Sequence, residues 1–239
     1  RADFLRTTPP LKSLDIGNTE AGIRALVHVA VALGENSTLR RLNIDRPRKE
    51  DINTEETSIL LAKSLRKNTT LTHLSMRKHR MRSHGTMWLM QHISEWNQNL
   101  THLSLDANEI DADGALHIAR ALASETCKLQ ELTLQANRIT DEGAVHIARS
   151  LRTNTSLLVL DLSYTNLSDR GLVALSEALG GGNSSLRVLK LAGNLFNLGA
   201  KEAWQRLLGW PLDRANPTHD AKHSLDIQEL DFIPLIAPL

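Results

Sequence analysis

A leucine spacing that returns every 28 to 32 residues constrains this chain more than any other feature. From Leu100 the sequence runs L-T-H-L-S-L-D-A-N-E-I, with leucines at the first, fourth and sixth positions, Asn108 at the ninth and Ile110 at the eleventh. From Leu129 the same register restarts, with Asn137 at the ninth position. Aligned on the first leucine, units begin at Leu11, Leu39, Leu71, Leu100, Leu129, Leu157 and Leu186, at spacings of 28, 32, 29, 29, 28 and 29. Each unit reads as a short strand, then as a stretch with apolar residues at helical spacing, such as Ala144, Ile147, Ala148 and Leu151. Strand followed by helix, repeated, puts parallel strands on one side and helices on the other and lets the chain grow along one axis. The expected fold is therefore an α/β solenoid with strands on the concave face and helices on the convex one.

Composition fits that picture. Hydrophobic residues make up 41% of the chain but aromatics only 3%, so the core must be aliphatic. A net charge of +1 gives no general pull towards nucleic acid or membrane. The charge is unevenly spread: Lys and Arg number 16 against 10 acidic residues up to position 99, and 6 against 11 from 100 to 180. The single cysteine, Cys127, excludes an intrachain disulfide, and no apolar run is long enough for a membrane helix, so the expected setting is intracellular and cytoplasmic. Six Asn-x-Ser/Thr sequons point the other way, but four of them (Asn36, Asn68, Asn154 and Asn183) recur at the same helix-to-strand turn. That recurrence marks turn chemistry rather than glycan attachment.

Thr140, Ser168 and Asp111 stand where helix caps belong. Gly114, Gly143 and Gly171 share one repeat position near a helix start, where glycine is unfavourable unless close packing demands it. At the amino end, Leu5-Arg-Thr-Thr-Pro-Pro-Leu11 lines up with Leu151-Arg-Thr-Asn-Thr-Ser-Leu157. Residues 1–10 then read as the tail of a preceding repeat, with seven repeats over 11–208 and a connection and capping strand over 209–239, all in a single domain. The expectation is a chain that continues upstream of Arg1; an intact mass near 26.5 kDa for the natural protein would overturn it.

From about Leu5 to Leu208 this pattern is similar to the ribonuclease-inhibitor-type leucine-rich repeats. The family includes ribonuclease inhibitor, the GTPase-activating protein of Ran, tropomodulin-like actin cappers, sensor regions of innate immune receptors, and axonemal proteins. The cysteines that some members place at the ninth position are replaced here by Thr19, Pro47, His79, Asn108, Asn137, Thr165 and Asn194. The resemblance implies a rigid binding scaffold, in large assemblies such as the ciliary axoneme among other settings, and GTPase activation as an alternative. RNA or ribosome association is a further alternative.

The third, fifth and seventh positions should face the concave surface. They include Arg41, His73, His102 and Glu131 at the third and Arg77 and Asp106 at the seventh. His73 and His102 should lie about 5 Å apart on adjacent strands, yet no third and fourth ligand completes a metal site. The densest charge is the loop holding Arg77, Lys78, Arg80 and Arg82, joined on one rim by Arg46 and Arg48. Asp45, Glu50 and Asp51 partly neutralise it, so an acidic protein surface is the expected partner and nucleic acid is disfavoured. Glu109-x-Asp111-x-Asp113-Gly114 begins like a calcium loop but has Arg120 at the twelfth position, and Gly180-Gly-Gly182 lacks the lysine of a phosphate loop. No catalytic motif occurs, and neither an enzyme nor a cofactor is expected.

Overall fold

The computed structural model describes residues 11–48, 54–208 and 230–231. Seven strands alternate with seven helices: β1 (Ser13–Asp15), α1 (Ile23–Glu35), β2 (Arg41–Asn43), α2 (Thr54–Leu65), β3 (His73–Ser75), α3 (Arg82–Glu95), β4 (His102–Ser104), α4 (Ala112–Leu122), β5 (Glu131–Thr133), α5 (Thr140–Leu151), β6 (Val159–Asp161), α6 (Asp169–Gly180), β7 (Val188–Lys190) and α7 (Leu198–Leu208). The strands pair in sequence order and in parallel, each repeat's third, fourth and fifth positions matching those of the next. The fold is the α/β repeat solenoid that the leucine spacing implies.

One element departs from it. A last strand, β8 (Leu230–Asp231), pairs with β7 in antiparallel sense, so it is not a further repeat strand although it keeps the leucine spacing. The expected preceding-repeat tail at 1–10 and the rest of the connection at 209–239 lie outside the described residues.

Leucines at the first, fourth and sixth positions stack into one continuous core with Ile118, Ile147, Leu151 and Leu175 from the helices. Two polar ladders lace the repeats together. At the helix-to-strand turn, Asn68 donates from Nδ2 to the Leu33 and Asn36 carbonyls and accepts at Oδ1 from the Thr70 and Leu71 amides. Asn97, Asn154 and Asn183 occupy the equivalent place. The nitrogen a glycan would need is thus already a structural donor, which is the physical content of the recurrent sequons. At the ninth position Asn108, Asn137 and Asn194 repeat a second pattern: Nδ2 donates to the sixth-position carbonyl of the preceding unit, and Oδ1 accepts from that unit's ninth- and eleventh-position amides.

Helix capping differs in part from expectation. Asp111 accepts from the Gly114 amide as a cap should. Ser168 sits at the cap position of α6, but its hydroxyl donates to Asp141 instead of accepting from its own helix. Thr140 is the first residue of α5 and makes no side-chain cap. The carboxylate comes from the previous repeat: Asp141 Oδ1 accepts from the Ser168 and Gly171 amides, and Asp169 serves α7 through the Asn197 and Ala200 amides. Such reach requires adjacent helix starts to be close. A Cβ at Gly143 would stand 2.8 Å from the Ala115 Cβ, and one at Gly171 would stand 2.6 Å from Asp141 Oδ1. At Gly143 and Gly171 glycine is therefore a packing requirement between repeats, whereas at Gly114 the tightest contact, Ile110 Cγ2 at 2.6 Å, lies within its own repeat.

Candidate functional site

The third-position row crosses the sheet on the strand face, one residue per strand. Arg41 pairs in register with His73, His73 with His102, and His102 with Glu131. These four border a shallow depression of about 650 Å³ floored by strands β1 to β5. Alternation forces this arrangement, because Leu42, Leu74, Leu103 and Leu132 between them point into the core and are at most 2% exposed.

The two histidines stack face to face, ring centroids 3.9 Å apart and planes 10° from parallel. Their protonation follows from their neighbours. The Thr72 hydroxyl stands 3.0 Å from the Arg40 carbonyl and 2.8 Å from His73 Nδ1. Thr101 stands in the same way between the Thr72 carbonyl and His102 Nδ1. Each hydroxyl serves both of its neighbours when the ring beside it carries a proton on Nδ1, and both rings line the depression. Burial, the adjacent His102 and the Arg41 guanidinium hold His73 below the ordinary histidine value, with Glu131 pulling weakly the other way. His102 Nε2 is 3.8 Å from the Glu131 carboxylate. Lone pairs lying in two stacked, near-parallel planes do not converge on one ion, as metal ligation requires. Among the described residues no three His, Cys, Asp or Glu side chains group as metal ligands.

The seventh position behaves differently. Arg77 lies between two carboxylates, its Nε 3.2 Å from Asp106 and 3.8 Å from Asp45. Asp45 also accepts from the Arg77 amide and the Ser75 hydroxyl, and Asp106 from the Gln135 amide. Burial raises the Asp106 carboxyl above its ordinary value, although Arg77 and the Gln135 amide oppose it. Asp106 and Arg77 are thus tied into the framework between repeats, a role that their polar character alone did not reveal.

On the rim, Arg80 and Arg82 both reach Glu109, at 3.6 and 3.2 Å. Arg46, Arg48 and Lys78 are exposed and form no ion pair among the described residues; Glu50 and Asp51, expected to temper them, lie outside that range. The turn itself carries an unforeseen feature. The eighth position is left-handed in all seven repeats, at Asn18, Arg46, Lys78, Ala107, Ala136, Tyr164 and Gly193, with φ between 51° and 71°. In the central repeats the ninth side chain that follows this turn is buried, at His79, Asn108, Asn137 and Thr165.

A family model described as Leucine Rich repeat matches residues 97–119, 126–148 and 153–176. These are the most regular units. No curated protein matches the chain in sequence. Among solved structures, the tropomodulin C-terminal domain from Caenorhabditis elegans is 17% identical, with a TM-score of 0.47 over 65% of this chain and 91% of that one. The leiomodin-1 actin-binding site 2 structure is 21% identical, with a TM-score of 0.38 over 83% and 79% of the two chains. The TLR13 complex with single-stranded RNA is 18% identical, with a TM-score of 0.41 over 83% of this chain and 33% of that one. No helix among the described residues is long and apolar enough to cross a membrane. With the matched repeats and the strand and helix order together, the chain folds as an α/β leucine-rich-repeat solenoid.

Proposed function

We propose that this protein is a non-enzymatic scaffold of the ribonuclease-inhibitor type that holds a protein partner against its strand face, with the exposed Arg46, Arg48 and Lys78 meeting an acidic part of that partner. The observation that carries the reading is the in-register row of Arg41, His73, His102 and Glu131 across four strands, at the edge of one depression. Such a row is polar, accessible and held on strands fixed by the leucine core and the asparagine ladders. A surface ordered in advance loses little entropy when a partner arrives. The setting that goes with this reading is a cytoplasmic assembly, the cytoskeleton and the ciliary axoneme included.

Affinity capture separates this from a helix-side mode of binding. The parent chain is compared with the strand-face double variant Arg41→Glu, Glu131→Arg and with Arg120→Glu on α4. The expected result is a partner retained by the parent and by Arg120→Glu and lost by the double variant. A partner that survives the double variant and is lost by Arg120→Glu would overturn the proposal.

A further inference from the structure

The middle of the third-position row offers a chemistry that a merely polar surface would not. Arg41 is exposed and has no ion pair among the described residues. Its register partner is His73, which lines the same depression and whose Nδ1 is engaged by the Thr72 hydroxyl. His102 repeats that arrangement one strand on. We propose that Arg41 and the stacked His73–His102 pair form a receptor for a carboxylate side chain of the bound partner, which is taken up together with a proton from solvent. This rests on the strand face being the binding surface.

The argument is electrostatic. A proton on His73 Nε2 is disfavoured first by partial burial and then by the adjacent His102 and the Arg41 guanidinium. A carboxylate seated between Arg41 and His73 reverses the balance, because it attracts the guanidinium and accepts from a protonated Nε2, a charge-assisted bond. The other charged groups around the depression decide whether such an anion is tolerated. Asp15 on β1 lies at its far edge and accepts from the Gly17 amide. Asp45 and Asp106 are turned to Arg77. Glu131 on β5 stands beyond His102 and favours the protonated pair while it repels an anion on its own side. The anion therefore belongs at the Arg41–His73 end.

The linkage has a definite sign. If the ligand raises the His73 value, binding strengthens as pH falls from above the bound value to below the free one. A cationic ligand on Nε2 would do the opposite.

The test uses the whole chain and N-acetyl-tetraglutamate amide as probe, with N-acetyl-tetralysine amide as its counterpart, and follows the imidazole nitrogens of His73 and His102 by NMR across pH. Tetraglutamate is expected to raise the His73 midpoint by about half a unit, which corresponds to roughly threefold tighter probe binding at the acid end. Arg41→Gln should abolish that shift while the His73 and His102 signals stay otherwise in place. Probe bound only at the Arg46–Lys78 rim would leave the His73 midpoint unmoved and would overturn the inference, as would a lowering by tetralysine without any effect of tetraglutamate. If the strand-face double variant loses its partner but His73 ignores tetraglutamate, this inference alone fails; if that variant keeps its partner, the scaffold reading itself fails.

Discussion

His79 donates from Nε2 to the Ile44 carbonyl 2.8 Å away, filling in one repeat the place that asparagine fills in three others. An asparagine there would also offer an oxygen to the preceding ninth-position amide. In the preceding repeat that residue is Pro47, which has no amide hydrogen. Histidine therefore forgoes no bond from the ninth-position amide, and its Nδ1 is buried with no hydrogen-bond partner among the described residues.

Burial holds His79 below the ordinary histidine value of 6.5, against the Ile44 bond and Asp45, which favour the charged form. The folded state thus resists a proton that the unfolded state accepts. Stability from this residue is full above pH 6.5 and is lost as pH falls below it towards the folded value. Urea unfolding is expected to show a loss of stability from His79 as pH falls below 6.5. In His79→Asn that part of the slope should vanish; an unchanged slope would mean that His79 is not the group responsible.

The left-handed eighth position gives a second test. Ala136 sits at φ 57°, a conformation that costs an L side chain about 1–2 kcal/mol, while glycine there pays about 0.5–1 kcal/mol in chain entropy. Ala136→Gly should therefore stabilise the protein by about 0.5–1 kcal/mol in thermal or denaturant unfolding. A loss of similar size would show that the left-handed turn is not held in solution.

How much of this could be read beforehand follows from where the signal lies. Leucines at the first, fourth and sixth positions carry the strand register because burial tolerates little else there, and the recurrent Asn-x-Ser/Thr turns announce their ladder by repetition. The row of Arg41, His73, His102 and Glu131 was legible from alternation alone. The left-handed turn was not, since six of its seven residues are not glycine. The carboxylates that cap the next helix were equally hidden: Asp141 and Asp169 resemble ordinary first-turn acids, and only three-dimensional proximity sends them across to Ser168 and Asn197. The Arg77 bridge between Asp45 and Asp106 was missed for the same reason, as charge in a sequence does not say which partner is within reach.

Asp141 makes that cross-repeat cap testable. Burial would raise its carboxyl, but hydrogen bonds from the Ser168 hydroxyl and amide and the Gly171 amide outweigh this and lower it from 3.8. Its contribution is therefore present above pH 3.8 and is lost as pH falls through the lower folded value. Asp141→Ala is expected to cost about 1–2 kcal/mol at neutral pH. Amide exchange should locate the damage at the start of α6, at Ser168 and Gly171, rather than in α5, where residue 141 itself resides. Protection lost in α5 alone would make Asp141 a cap of its own helix.

The core register has the largest expected effect. Leu103 is 1% exposed and lies in register between Leu74 and Leu132. Truncation removes the one side chain that joins those two repeats at the fourth position, and helices packed on both flanks restrict collapse into the space. Leu103→Ala should cost about 2–5 kcal/mol in denaturant unfolding. In a linear stack each repeat is held by its neighbours, so the loss should spread to the adjoining units instead of staying within one. Hydrogen exchange should show lowered protection in β3, β4 and β5 together, and a change under about 0.5 kcal/mol would place Leu103 outside the core.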